Sequence, residues 1–334
     1  MELGRKQRNS YIDNMKAILI FLVVIGHFIN SFYYTSGFLK VLYDFIYFFH
    51  MHLFIFISSF FSQKIDSSEK AIRRSFYFLK LYIIFQILYT AFNYFVGQHG
   101  TEIPYTPQIM SPYWITWYLL AFAIWTLCIP FIKEIKHPFR FIIVMIVAGL
   151  LVGFIPDIGS YLAFSRVIVF FSFFLLGYFL PKKQMTYFEN SKQTSTKIFF
   201  GIIFLVAFIL IAVFSSNMET ISLYGASSYW SLSSSIWEAL LQRGINLVVA
   251  LLLSLCFLVI TTSKHRFYTE IGKNTLHIYL FHGFFVLLTG RFLADFLRSL
   301  NDILQVVAVF GLAIGTIVII NLFTKLFRMA GFIK

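Results

Sequence analysis

Charged side chains are scarce in this 334-residue chain: Asp, Glu, Lys and Arg together make up 12% of it, about half the share usual in a soluble domain. Beside 59% hydrophobic residues, that scarcity excludes an ordinary water-soluble globule. Acidic residues are the scarcer sign, 14 against 27 basic. The resulting charge of +13 does not read as a nucleic-acid surface, because the Lys and Arg residues gather in alternate loops, as topology signals do. Cysteine is nearly absent. Cys128 and Cys256 fall in separate apolar runs with no His or Cys at ligand spacing, which excludes a disulfide framework and a zinc site. No soluble domain, linker or internal repeat is visible, so residues 1–334 read as one integral membrane domain.

What is present instead is a succession of apolar runs near twenty residues, each long enough to cross a bilayer. They fall at about 14–32, 39–61, 76–95, 113–132, 141–155, 162–180, 198–214, 245–260, 271–288 and 303–323. The chain is therefore predicted to be an all-α polytopic membrane protein of about ten transmembrane helices. The first run is too long, and Asp13 too close to it, for a cleaved signal peptide. Segments rich in Lys and Arg, such as those holding Lys64 to Arg74, Lys133 to Arg140 and Lys264 to Arg266, alternate with segments 97–112 and 215–242, which carry no basic residue. That alternation predicts both termini inside the cell. Arg291 and Arg298 sit outside against the rule.

Polar residues within the runs are the candidates for chemistry, since hydrocarbon makes an idle polar group expensive. His27 is the first of them. Lys16 precedes it by eleven residues, close to three helical turns, so both lie on one helix face about 16 Å apart along the axis. A packing histidine and a snorkelling lysine are the plainer readings of each residue alone. Asp13 is a candidate N-cap for the first run. His50 and His52 are two apart, so on a helix they face different sides and cannot share a metal ion. Tyr113, Trp114 and Trp117 form an aromatic belt by default. Arg166, just inside the sixth run, either snorkels outward or turns inward to steady an anion. In the ninth run Thr275, Tyr279 and His282 fall at i, i+4 and i+7, one polar stripe on an apolar helix; it either glues helices or relays protons.

With these residues in place the chain resembles the membrane acyltransferase 3 family. The likeness rests on Arg8, Asp13, Lys16 and Gly26-His27, on segment 48–61, on Trp117-Tyr118-Leu119, on Arg166 with Phe174 to Tyr178, and on Gly272 to His282, all in order along the chain. The branch it is most similar to is that of fucose 4-O-acetylases. It departs from the family where His52 and Ser172 stand in place of proline, and where Ser58-Ser59 replaces Ser-Gly.

The resemblance implies O-acyl transfer, usually of acetyl, from cytoplasmic acetyl-CoA or another acyl-CoA to a hydroxyl of a carbohydrate or lipid-linked glycan. Acyl-CoA would be a co-substrate, with no permanently bound cofactor, and the setting would be a bacterial cytoplasmic membrane among its lipids. His27, Arg166 and His282 are then the expected catalytic residues, His27 as general base or acyl carrier. Lys16, Arg8 and Asp13 would serve the donor, and Trp117, Tyr279 and Trp230 the acceptor. An exporter or flippase of polysaccharide or lipid-linked sugar is the rival reading, because intramembrane His, Lys and Arg also mark transport paths. No paired halves or interrupted helices in matching positions favour it.

Overall fold

The computed structural model describes residues 9–30, 36–96, 110–159, 161–191, 193–232 and 235–330. Arg8, one of the expected donor-binding residues, lies outside them. Thirteen α-helices follow one another among the described residues: α1 (Ser10–Ile29), α2 (Gly37–Ser62), α3 (Ser68–Val96), α4 (Trp117–Leu127), α5 (Ile129–Lys133), α6 (Pro138–Leu151), α7 (Phe164–Phe179), α8 (Lys182–Asn190), α9 (Thr194–Phe214), α10 (Ile236–Ile260), α11 (Thr275–Phe292), α12 (Ala294–Arg298) and α13 (Asp302–Met329). Among the described residues there is no strand.

Every predicted run contains helix, but the runs are not equal. Seven helices among the described residues are long and apolar enough to cross a membrane, in the regions of α1, α2, α3, α7, α9, α10 and α13. The fourth and fifth runs give shorter apolar helices, Trp114–Leu127 and Pro138–Phe154. The fourth is cut at Cys128, after which α5 begins with Pro130 in its first turn; a proline further inside would have cost the helix a hydrogen bond. The ninth run, α11, is a helix of 18 residues that carries the polar stripe.

Two helix starts differ from the sequence reading. α1 is capped by Asn9, whose side chain accepts from the Ile12 amide at 3.2 Å, and not by Asp13. Asp13 sits inside the first turn, buried. α10 begins at Ile236, well before the expected 245, because Ser235 and Glu238 form a capping box. Each satisfies the other's backbone amide, at 3.3 and 2.9 Å. Serine richness reads as loop, but at Ser235 it marks a helix N-terminus.

α1 and α2 form the centre of the bundle. α1 packs against α2, α11 and α13, and α2 against α7, α10 and α9. Burial falls outward from there: 72% of the apolar window of α1 is buried but only 11% of that of α9. An apolar helix that buries so little of itself presents its remaining surface to lipid. α2 and α7 approach closely where Gly177 lies against the Phe56 carbonyl and the Ser59 hydroxyl; a Cβ there would collide with both. Small residues let membrane helices approach this closely, where dispersion contacts replace the missing hydrophobic drive. Polar ties pin the basic end of α1. Asn14, fully buried, accepts from Thr269 Oγ1 at 2.6 Å and donates to the carbonyls of Thr262 and Lys264, while the Tyr11 hydroxyl donates to the Leu258 carbonyl.

Candidate active site

At the end of the bundle away from the basic loops, α1, α2, α7 and α11 surround a cavity of about 180 Å³. α1 contributes His27 from its last turn. α2 contributes Tyr43, Tyr47 and His50, spaced four and three apart, so they form one stripe down its face. Trp114 and Trp117 enter from the start of the fourth run, Arg166 and Phe170 from α7, Tyr279 from α11, and Leu223 and Tyr224 from the segment after α9.

His27 is gripped on three sides. Trp114 meets it edge to face at 4.6 Å between ring centroids, and His282 stacks on it at 5.2 Å with 27° between planes. The Tyr47 hydroxyl stands 3.4 Å from its Nδ1, at the long limit of a hydrogen bond and of the kind that tightens when substrate binds. Gly26 makes room for Tyr47, since a Cβ there would come within 3.1 Å of the tyrosine ring. His282, fully buried, uses Nδ1 on the Ile278 carbonyl at 3.0 Å. That bond assigns the proton to Nδ1 and leaves Nε2 as an acceptor without a partner among the described residues. His50 is fixed the same way, with Nδ1 on the Ile46 carbonyl at 2.7 Å.

Arg166 turns inward. Its guanidinium lies 5.1 Å above the Trp117 ring, a cation–π contact, and Trp117 packs in turn on Phe170 at 5.3 Å. Among the described residues no carboxylate pairs with Arg166. An arginine held on an aromatic face with its fork unspent is a ready acceptor of anionic charge. The backbone around it is strained. Trp114, Leu162 and Ala163 carry φ of 40°, 50° and 52°, the positive-φ non-glycine residues of the described chain. Such strain costs of order 1–3 kcal/mol per residue and collects at functional sites. Here one strained residue touches His27 and the other two lead into α7 three residues before Arg166.

The expected site residues therefore separate. His27, Arg166, Trp117 and Tyr279 meet on one cavity, and the Tyr279 hydroxyl is tied to the Ile115 carbonyl. His282 stands behind His27 and does not line the wall. Lys16 lies at the opposite end of unbroken α1, its ammonium 4.5 Å from the centre of the Phe61 ring; Lys64 approaches the same ring at 5.3 Å. Asp13 is buried against the turn that holds Gly272. Trp230 is not on the cavity. It is 60% exposed and donates to the Phe154 carbonyl at 3.1 Å. From its segment it is Leu223 and Tyr224 that reach the site. Sequence reasoning missed Tyr43, Tyr47 and Tyr224 and gave Trp114 to the membrane interface.

The result is an integral membrane protein with an aromatic-walled cavity that holds His27, His50 and Arg166, the last with no carboxylate partner among the described residues. The chain belongs to the acyltransferase 3 family, whose model, described as an acyltransferase domain, matches residues 9–322. The protein is accordingly an acyltransferase. No curated protein and no solved structure matches it.

Proposed function

We propose that the protein transfers an acyl group, acetyl first among them, from acyl-CoA to a hydroxyl of a carbohydrate or lipid-linked glycan, as the fucose 4-O-acetylase-like branch would. The observation that carries this is the placement of His27 and Arg166 on one cavity while Lys16 stands at the far end of the same helix. Eleven residues of α-helix rise about 16 Å, a distance suited to an extended thioester arm whose phosphates stay at the basic end beside Lys16 and Lys64.

In this reading His27 takes the proton of the acceptor hydroxyl while that oxygen bonds to the thioester carbonyl carbon. Arg166 meets the charge that develops on the carbonyl oxygen. The carbon–sulfur bond then breaks, and the CoA sulfur leaves with the proton held by His27. Alternatively His27 accepts the acyl group first and hands it on; label on the protein before any acceptor is added would distinguish that order. The alternation of basic and non-basic loops supports an arrangement with both termini on the inner side of a bacterial cytoplasmic membrane. Cysteines at Lys136 and Ser227 should then label from opposite faces.

The test is purified protein in detergent with radiolabelled acetyl-CoA and carbohydrate acceptors. Label should pass to the carbohydrate, and His27→Ala should slow it on the order of a hundredfold or more. Near wild-type transfer by His27→Ala would sink the mechanism. Movement of unmodified lipid-linked sugar across vesicles, with no loss of thioester, would instead favour an exporter.

A further inference from the structure

A second, much smaller cavity of about 10 Å³ adjoins the first. Tyr47, Phe170 and Leu223 line both. Its far wall is His52 from α2 with Arg243 and Asn246 from α10. All three are more than nine-tenths buried, His52 at 4%, Arg243 at 5% and Asn246 at 7% exposure. Room for about one water-sized sphere admits a single oxygen and nothing larger.

The polar groups on this annex are unusually idle. Neither Nδ2 nor Oδ1 of Asn246 has a hydrogen-bond partner among the described residues. His52 Nδ1 is also without one; the Phe48 carbonyl is near it but not in hydrogen-bonding geometry. Arg243 is already engaged, donating to the carbonyls of Ser227 at 2.6 Å and Gly149 at 3.4 Å and lying over the Tyr229 ring. It holds the wall and leaves Asn246 and His52 to bind. Phe170 and Phe173 clamp the His52 ring, with centroids 4.7 and 4.6 Å away, so its direction is fixed. Buried amides and imidazoles are almost always satisfied, and a cluster that is not calls for a partner. An amide that offers a donor beside an acceptor suits a group that both donates and accepts, which is a hydroxyl.

We propose that this annex is a specificity subsite that takes one hydroxyl of the acceptor, a neighbour of the hydroxyl that is acylated. The inference rests on the acyl-transfer reading given above. The sugar ring would stand in the larger cavity between His27 and Trp117, and one further hydroxyl would reach past Tyr47 to Asn246 and His52. A site whose buried polar atoms find their partner on the substrate rejects an analogue lacking that group, because the atoms are then left unpaired.

The experiment compares wild type with Asn246→Leu and, as a second variant, His52→Phe. Thermal unfolding in detergent is followed with acetyl-CoA and with methyl α-pyranosides of glucose, galactose, mannose and fucose. Transfer rates are then measured on each protecting pyranoside and its monodeoxy forms. Wild type should be protected by at least one pyranoside. Loss of one hydroxyl other than the acylated one should lower its kcat/KM about tenfold to a hundredfold. In Asn246→Leu or His52→Phe the same deletion should make little difference, while the melting temperature stays at or above that of wild type. Protection by acetyl-CoA with none by any pyranoside overturns the annex as an acceptor subsite. So does equal discrimination by wild type and both variants, or a change confined to the hydrolysis of acetyl-CoA, which would make the annex a water site. Failure of acetyl-CoA to bind or to lose its thioester defeats the acyltransfer mechanism itself, and the subsite falls with it.

Discussion

The rings of His27 and His282 lie nearly parallel with 5.2 Å between their centroids, and only the first of them reaches the cavity. One helix supplies the ring that meets substrate and another the ring that backs it. His282 is therefore a positioning residue, and its substitution should move different quantities from that of His27.

His282→Phe keeps an aromatic plane against His27 and removes the idle Nε2. Turnover should fall roughly tenfold while the donor KM is unchanged, as for loss of an interaction made only in the transition state. Steady-state rates at varied acetyl-CoA check this, and a wild-type kcat would reduce His282 to packing.

Arg166→Lys should lower kcat on the order of ten- to a hundredfold with the fold intact, since an ammonium cannot reproduce the guanidinium fork or its stacking on Trp117. Melting temperature and initial rate measured on one preparation separate the two effects. An unchanged rate would make Arg166 an interfacial anchor.

Lys16→Ala should chiefly raise the donor KM, in the manner of lost uniform binding, while Lys16→Arg retains most activity. His27→Ala should do the reverse and leave calorimetric binding of acyl-CoA near wild type. Equal defects in kcat for the two alanine variants would contradict the division of α1 into a donor end and a reacting end.

Asp44 is fully buried on α2 and accepts from Lys40 Nζ at 2.8 Å, Ser215 Oγ at 2.5 Å and Thr220 Oγ1 at 2.7 Å. It ties down the segment that carries Tyr224, whose hydroxyl meets that of Tyr43 at 2.7 Å. Asp44→Ala strands these donors and should cost about 3 kcal/mol of stability. Acceptor KM should rise as well, because the cavity loses its fixed roof. A variant that melts like wild type would show that the network is dispensable.

The sequence disclosed what helical period can disclose. Lys16 and His27 share one helix, as do Tyr279 and His282, and spacing alone shows that much; only His27 and Tyr279 of the four line the cavity. Tyr43, Tyr47 and His50 obey the same period, but α2 is aromatic on every side, so their stripe had no contrast. Trp114 sits where interfacial aromatics also sit, and its positive φ has no signature in residue type. Trp230 and Tyr224 lie in one Ser- and Tyr-rich segment, and only tertiary ties such as the one to Asp44 decide which part folds over the cavity. Asn9 and Asp13 are both of capping type, and residue type alone does not say which of them begins the helix. Family membership was legible because its motifs run through the chain in order.

The cavity lies between two walls, Tyr47 and His50 on α2 and Arg166 and Phe170 on α7. These helices are in close contact at Gly177, against Phe56 and Ser59, eleven residues and hence about 16 Å along α7 from Arg166. The pair works as tongs work, with the grip at one end set by the pivot at the other. A single methyl group added at the pivot would widen the jaws without touching any residue in them, and the loss would be read in the distance a hydroxyl must cross to reach carbon.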